Sequence, residues 1–295
     1  MLSILIPIYN WDCIELVTEL HQQALGAELD FEILCLDDAS SDEYRIRNMQ
    51  LGSLANVVYE DLPKNIGRAR IRNLLAEKAK YGTLLFVDCD MAVTSDSFVS
   101  KYVSAINGTG VVVGGIAYDV GKPDNPDNIL RWTYGHERES LSSSARSKHP
   151  YASFMTGTFA IDSASFAAIK FDESIAHYGH EDTLFGSELR AKGIKVTHIN
   201  NPLVHKGLES SVNFISKTEQ AVRTLADLSK DGKLKDEVKL YKVYRQLKKV
   251  YLDELYGRRF HKRKAAWLKN LNSSKPDLKY FDMYRLGYLC TLKQK

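Results

Sequence analysis

Asp88 and Asp90 stand one residue apart in an apolar run, residues 84–93, that has the length and composition of a buried strand and follows Gly82. Two carboxylates that close repel unless a cation or a set of donors answers them. The carboxyl end of a strand in an open α/β sheet is also where ligands bind. Hard oxygen donors suit Mg²⁺ or Mn²⁺, and such an ion can in turn hold a diphosphate. Asp37 and Asp38 end a second apolar run, Glu181 and Asp182 precede a helical pattern, and His205 closes a short apolar segment. Each has an ordinary explanation. Asp37 and Asp38 suit a turn or a helix cap, Glu181 and Asp182 suit the dipole in a first helical turn, and a lone histidine is commonly structural. Taken together they are harder to dismiss, because an alternating fold brings these strand ends to one rim of a sheet.

The elements that must position them follow from periodicity. Residues 2–8 read as a first strand, and a helix runs from about Ile14 to Gly26 with Asp12 as its cap. Residues 31–36 form a second strand that enters the turn-forming cluster 37–42. A short strand at 57–59 precedes a helix through about Lys80, which leads to the strand ending at Asp88. A helix is expected from Ser95 or Asp96 to Asn107, then a strand at 110–116 and another within Ser153 to Ile161, around Thr156-Gly157-Thr158. Residues 118–150, rich in Pro, Asp, Asn, Ser and Arg, read as a long excursion with some helix near Leu130 to Trp132, and excursions of that length are usually functional. A helix over 181–192 and short strands at 194–199 and 203–205 follow. From Ser210 onward the pattern is helical. Strands alternating with helices argue an α/β fold with a mostly parallel sheet covered on both faces.

The chain has 295 residues, 44% of them hydrophobic, enough for one large domain or a domain with an appendage. No apolar stretch reaches the ~18 residues of a membrane span. The first residues lack the charged lead and small-residue cleavage site of a leader, so none is expected. Cys13, Cys35, Cys89 and Cys290 lie far apart, as reduced thiols of a cytoplasmic protein would, with no disulfide or zinc spacing. A Gly-Lys-Ser/Thr phosphate loop and a Gly-x-Gly-x-x-Gly fingerprint are both missing, which argues against kinases and dehydrogenases. Glycoside hydrolysis needs two carboxylates across the scissile bond, and nothing in the sequence argues for that pairing.

Five motifs in order carry a resemblance. They are residues 3–10 (Ser-Ile-Leu-Ile-Pro-Ile-Tyr-Asn), 37–42 (Asp-Asp-Ala-Ser-Ser-Asp), Asn65-Ile66-Gly67 with Arg72-Asn73, Asp88-Cys89-Asp90, and Glu181-Asp182. Over roughly the first 210 residues the chain resembles the family-two glycosyltransferases of the GT-A fold. The resemblance implies a Rossmann-like, mixed nucleotide-binding sheet flanked by helices over residues 1–209, with a helical, basic extension over 210–295. It implies transfer of a sugar, with inversion, from a nucleotide donor, usually UDP-linked, to a hydroxyl of a saccharide or lipid-linked glycan, as in polysaccharide biosynthesis. By position, Pro7, Ile8 and Tyr9 match the loop lining the nucleobase, and Asp38 matches the acid bonded to the base. Asn65 and Arg72 fall on the donor side, and Asp88 near the donor ribose and sugar. Asp90, with Asp88 beside it, matches the ligand of Mn²⁺ or Mg²⁺, and His205 the late histidine that joins the metal shell in some relatives. Asp182 matches the catalytic base, with Glu181 beside it on the acceptor side. Processive relatives carry membrane spans and a Gln-x-x-Arg-Trp motif after the base. Here Leu130-Arg131-Trp132 comes before the base and without Gln, which favours single-sugar transfer. A sugar nucleotidyltransferase would show a Gly-rich, Arg-containing loop where this chain has Pro7-Ile8-Tyr9-Asn10. A catalytically inactive saccharide-binding or scaffold protein would have no need of a complete set of base and metal acids.

Charge is unevenly spread. Residues 230–295 carry 19 Lys and Arg against 7 Asp and Glu, whereas residues 1–229 carry 21 against 30. Between Lys235 and Tyr256 the apolar positions recur at helical spacing opposite Lys239, Lys242, Arg245, Lys249 and Asp253, which predicts one amphipathic basic helix. Such a helix either packs on the catalytic domain or attaches peripherally to the inner, anionic face of a membrane. No motif points to nucleic acid.

Overall fold

The computed structural model describes residues 1–106, 110–175, 178–234 and 238–292. The chain opens with β1 (Leu2–Ile8), α1 (Ile14–Gly26), β2 (Phe31–Asp37), α2 (Asp42–Asn48), β3 (Val57–Asp61), α3 (Arg68–Lys78) and β4 (Thr83–Val87). This is the expected alternation, with α2 added where the sequence reads only as a turn. The apolar run 84–93 does not stay in one strand. It breaks at Asp88, and β5 (Met91–Ala92) joins a different sheet. Next come α4 (Phe98–Ala105), whose expected end at Asn107 lies outside the described residues, and β6 (Val111–Val113). The strand expected over 110–116 also breaks, at Gly114-Gly115, and β7 (Ile116–Ala117) again belongs to the second sheet. The excursion holds α5 (Ile129–Tyr134), a π-helical turn (Gly135–Glu139) and α6 (Ser143–Arg146). Then follow β8 (Thr158–Asp162), α7 (Ser163–Ile169), α8 (Glu181–Ala191), β9 (Val196–His198), β10 (Leu203–His205) and four helices: α9 (Ser211–Lys230), α10 (Lys239–Lys249), α11 (Asp253–Leu271) and α12 (Leu278–Thr291).

These elements form two compact units. The first comprises Met1–Asp119, Ser140–Glu173 and Glu188–Gly207, and the second Val120–Glu139, Ser174–Ser187 and Leu208–Lys295. The first unit is built on a seven-stranded sheet of order β3-β2-β1-β4-β8-β6-β9. β1 to β4 run parallel, so the carboxyl ends of β1, β2 and β4 share one edge. β8 runs antiparallel to both β4 and β6, which makes the sheet mixed. The central strands read as continuous apolar runs because both faces are covered. Phe86 stacks on Phe159 at 4.7 Å and on Phe166 at 5.2 Å, joining β4, β8 and α7.

A small sheet of order β5-β10-β7 completes this unit. The break that frees β7 is held by Arg146, which is buried among neutral acceptors. Its guanidinium donates to the carbonyls of Val113 (3.2 Å), Gly114 (2.8 Å) and Ile199 (2.8 Å) and to His198 Nδ1 (2.8 Å). Gly115 sits at φ +100°, and a Cβ there would lie 2.6 Å from the same guanidinium.

The second unit is helical. Its core joins Leu130 and Leu184 to Phe214, Leu225, Trp267, Phe281 and Tyr284, with Phe214 stacked on Phe281 at 5.3 Å. The single amphipathic helix expected across 235–256 is not what forms. Lys235 lies outside the described residues, and α10 ends where Tyr251 adopts φ +57°. Tyr251 N–H donates to Lys248 O at 3.2 Å and Leu252 N–H to Leu247 O at 3.0 Å, the paired closure of a helix end. Tyr241 and Tyr244 are buried, but Val250 and Leu255 are exposed, so the expected apolar face is interrupted.

Candidate active site

In the first unit the acids follow the ends of β2 and β4, the two parallel strands on either side of β1. Asp37 closes β2 and is wholly buried. Its carboxylate accepts from Ser40 N–H at 2.7 Å and Tyr59 O–H at 2.9 Å, which makes it a turn anchor. Asp38 follows, also buried, and accepts from the amides of Ile66 at 2.6 Å and Gly67 at 3.0 Å. Burial pushes its pKa up, against the pull of those two amides. Asn65 Nδ2 donates to Asp38 O at 3.1 Å, so the segment 65–67 is tied to the end of β2 by three bonds. The β1 and β2 loops are also joined. Asn10 N–H donates to Ser40 Oγ and Ser41 N–H to Asn10 Oδ1, both at 2.8 Å, with Asn10 and Ala39 at positive φ. Above this frame Tyr9 is exposed, while Ile8 is buried and Pro7 partly so.

Asp88 and Asp90 leave the end of β4 in different company. Arg72, buried in α3, donates to Asp88 Oδ1 at 2.5 Å, and its guanidinium lies 5.6 Å from the centre of the Phe171 ring. Arg72 therefore orients Asp88. Asp90 meets His205 because β5 and β10 pair antiparallel, with His205 opposite Met91. His205 Nε2 lies 3.1 Å from Asp90 Oδ2, and Lys206 N–H donates to Asp90 O at 2.8 Å. Burial alone would raise the Asp90 pKa, but the bond and charge of His205 and the charge of Arg68 hold it below the usual carboxylate value. Gly207 lines the same spot. A Cβ there would come 2.5 Å from Asp90 Oδ2.

The second unit carries Glu181 and Asp182 on the first turn of α8. The turn before them uses two residues at positive φ, Gly179 and His180. A Cβ at Gly179 would lie 2.5 Å from the Cβ of Ala221 on α9, so only glycine fits. Asp182 Oδ1 accepts from Thr183 N–H at 2.7 Å. Burial and the neighbouring Glu181 charge push the Asp182 pKa up to about 6, with Glu139 adding to the rise. Burial holds His180 down at about 4. Glu139 itself pairs with Arg131 at 2.9 Å across the π-helical turn. A carboxylate ionised only above about pH 6 is a stronger base than an ordinary one and is still mostly charged at neutral pH.

Among the described residues no three His, Cys, Asp or Glu side chains cluster as a metal cage. The pair that does adjoin still fits a divalent ion. It supplies a hard carboxylate oxygen and an imidazole, and His205 Nδ1 is buried with no hydrogen-bond partner. Ions such as Mg²⁺ are commonly held by one or two carboxylates plus substrate phosphates, with no dedicated cage. Sequence reasoning names Asp38, Asp88, Asp90, Asp182 and His205, but it misses Gly207, Thr183 and the Arg131–Glu139 pair. Only the excursion 118–150 signals the last of these. Glycine spacing alone does not single out Gly207.

Comparison with known proteins gives a consistent picture. The model of the family described as Glycosyl transferase family 2 matches residues 3–170. Chondroitin synthase of Escherichia coli is 27% identical over 224 residues, 65% of this chain and 32% of its own length. A poly(ribitol-phosphate) beta-glucosyltransferase of Bacillus spizizenii is 32% identical over 139 residues, 43% of this chain and 22% of its own length. The chain thus spans a third or less of these relatives. Among solved structures, a mannosyltransferase from Pyrobaculum calidifontis in complex with GDP-Man and Mn²⁺ aligns over 99% of this chain and 81% of its own, at TM-score 0.55 and 14% identity. Glucosyl-3-phosphoglycerate synthase from Mycobacterium tuberculosis, in complex with Mn²⁺, UDP and glucosyl-3-phosphoglycerate, covers 78% of this chain and 79% of its own at TM-score 0.51 and 17% identity. At these identities the likeness is one of fold, a GT-A-type mixed α/β sheet flanked by helices with further helices at the C-terminal end.

Proposed function

The chain belongs to glycosyl transferase family 2, and from that premise we propose that it is an inverting glycosyltransferase. It takes a sugar from a nucleotide-sugar donor, UDP-linked by preference, and passes it to a hydroxyl of a saccharide or lipid-linked glycan. The observation that carries this reading is the edge of the parallel sheet, where Asp38, Asp88 and Asp90 follow the ends of β2 and β4 and Asp90 adjoins His205.

Pro7 and Tyr9 form the wall for the nucleobase, with the exposed Tyr9 ring as its face, and the buried Ile8 fixes this loop by accepting from Asp38 N–H at 2.8 Å. Asp38 has two of its acceptor sites filled by Ile66 and Gly67, so it fixes the segment 65–67 and offers the remaining lone pairs to the base. Arg72 holds Asp88 toward the donor ribose and sugar. Asp90 and His205 would hold Mn²⁺ or Mg²⁺, with Asp88, two residues before Asp90, as a further carboxylate. When bound, the ion offsets the charge gathering on the departing diphosphate. Asp182 takes the proton from the acceptor hydroxyl as the new bond forms, and Glu181 orients the acceptor. Direct displacement requires one base and no covalent intermediate, which suits a single carboxylate with a raised pKa.

Among the described residues no helix is long and apolar enough to cross a membrane. The basic excess of residues 230–295 supports peripheral attachment to an anionic membrane surface, where a lipid-linked acceptor would lie. The functional reading is tested by thermal shift with a panel of UDP- and GDP-sugars, with and without Mn²⁺. One donor is expected to stabilise the protein in an Mn²⁺-dependent way. Stabilisation by none of them overturns the reading.

A further inference from the structure

The corner between α10 and α11 has three independent peculiarities. It is apolar and open to solvent, since Val250 is 58% exposed, Tyr251 88%, Leu252 45% and Leu255 57%. It is strained, because Tyr251 occupies the left-handed position that ends a helix, a place where glycine is normal and a bulky side chain is unfavourable. It is also surrounded by cations. Lys248 and Lys249 precede the corner, and Arg258, Arg259 and Lys262 follow it, all exposed. The buried stripe of α11 is Gly257, Phe260, Trp267 and Leu271. Leu255, Arg259 and Lys262 repeat at i, i+4 and i+7 on the opposite side, so the apolar tip continues into a basic helix face. Two acids lie close by, the exposed Glu254 and the partly buried Asp253.

A strained and exposed aromatic is poorly explained by folding, which would favour glycine there and gain nothing from a ring in water. It is well explained by a surface that is apolar a few ångströms below a layer of negative charge. Tyrosine seats its ring at such a boundary and keeps its hydroxyl wet. We propose that this corner is an insertion tip for an anionic bilayer, with Val250, Tyr251, Leu252 and Leu255 entering the interface while Lys248, Lys249, Arg258, Arg259 and Lys262 meet lipid phosphates. This deepens the peripheral reading given above and rests on it. It replaces a continuous amphipathic helix lying flat with a local tip that dips in.

The test is sedimentation of the full chain with phosphatidylcholine vesicles and with vesicles carrying about one-third phosphatidylglycerol. The expected result is binding to the anionic vesicles only. Tyr251→Gly with Leu255→Ser is expected to weaken that binding about tenfold or more. Since glycine suits the backbone at 251, Tyr251→Gly alone is expected to melt at the same temperature as the parent or higher, so lost binding is not lost folding. Tyr251→Trp is expected to be quenched by brominated acyl chains in excess of the three native tryptophans. If the tip variants bind as the parent does while Arg258→Gln with Arg259→Gln and Lys262→Gln does not, the tip is overturned and an electrostatic attachment remains. If the parent binds neither vesicle, or a second copy of the chain occupies the corner in solution, both the tip and the peripheral reading fail.

Discussion

Replacing Asp182 with Asn is expected to remove catalysis and stabilise the protein at the same time. Asp182 lies in a surrounding that disfavours its charge, first through burial and then through Glu181, and its pKa rises from 3.8 to about 6. A carboxyl group whose folded pKa is raised favours the fold while protonated. That contribution is complete below about pH 3.8, fades as pH rises toward 6, and is gone above it. The interval corresponds to about 3 kcal/mol as an upper figure. Asn keeps the Oδ1 acceptor for Thr183 N–H and carries no charge. Urea unfolding of both proteins across pH 4–8 is therefore expected to show no difference near pH 4. The variant should gain stability through pH 4–6 and reach a plateau of up to about 3 kcal/mol above pH 6.5. Turnover should fall by about 10²–10⁴-fold, and the acid limb that the parent's kcat/KM shows near pH 6 should be missing from the variant. A stability difference that is constant with pH, or a parent more stable than the variant at pH 8, would refute the claim that Asp182 is held ready as a base at a cost to the fold.

Other changes address the remaining parts. Glu139→Gln removes a charge that raises the Asp182 pKa, so the acid limb of the pH–rate profile should move to lower pH. Gly207→Ala places a Cβ 2.5 Å from Asp90 Oδ2 and should weaken Mn²⁺ activation about tenfold or more, while the circular dichroism spectrum stays unchanged. Arg72→Met leaves Asp88 without its partner and should cost about 3 kcal/mol of stability by urea unfolding. The same variant should raise the nucleotide Kd about tenfold, read by calorimetry.

The parallel half of the sheet was legible because its strands are apolar runs separated by helical periodicity, as in residues 2–8, 31–37 and 83–87. The small second sheet was not. Met91-Ala92 and Ile116 read as extensions of the strands before them, and only tertiary pairing with β10 separates them. That same pairing brings His205 to Asp90, a contact between residues 115 positions apart that no local pattern reveals. Asp37 and Asp38 look equivalent in sequence, yet one is locked by Tyr59 and Ser40 and the other fixes Ile66 and Gly67. The corner at Tyr251 escaped notice because the helical spacing of apolar residues runs straight across it. The residue that ends α10 is a tyrosine in a conformation usually left to glycine.

The central claim is a division of labour, in which Asp90 serves the ion and nucleotide and Asp182 serves the acceptor. Calorimetric titration of UDP, with GDP in parallel, into the parent, Asp90→Ala and Asp182→Asn proteins tests it directly, each with and without Mn²⁺. Mn²⁺-dependent binding of one nucleotide by the parent and by Asp182→Asn, but not by Asp90→Ala, is the predicted result. Binding indifferent to Mn²⁺ and to Asp90, or lost equally in both variants, would contradict it.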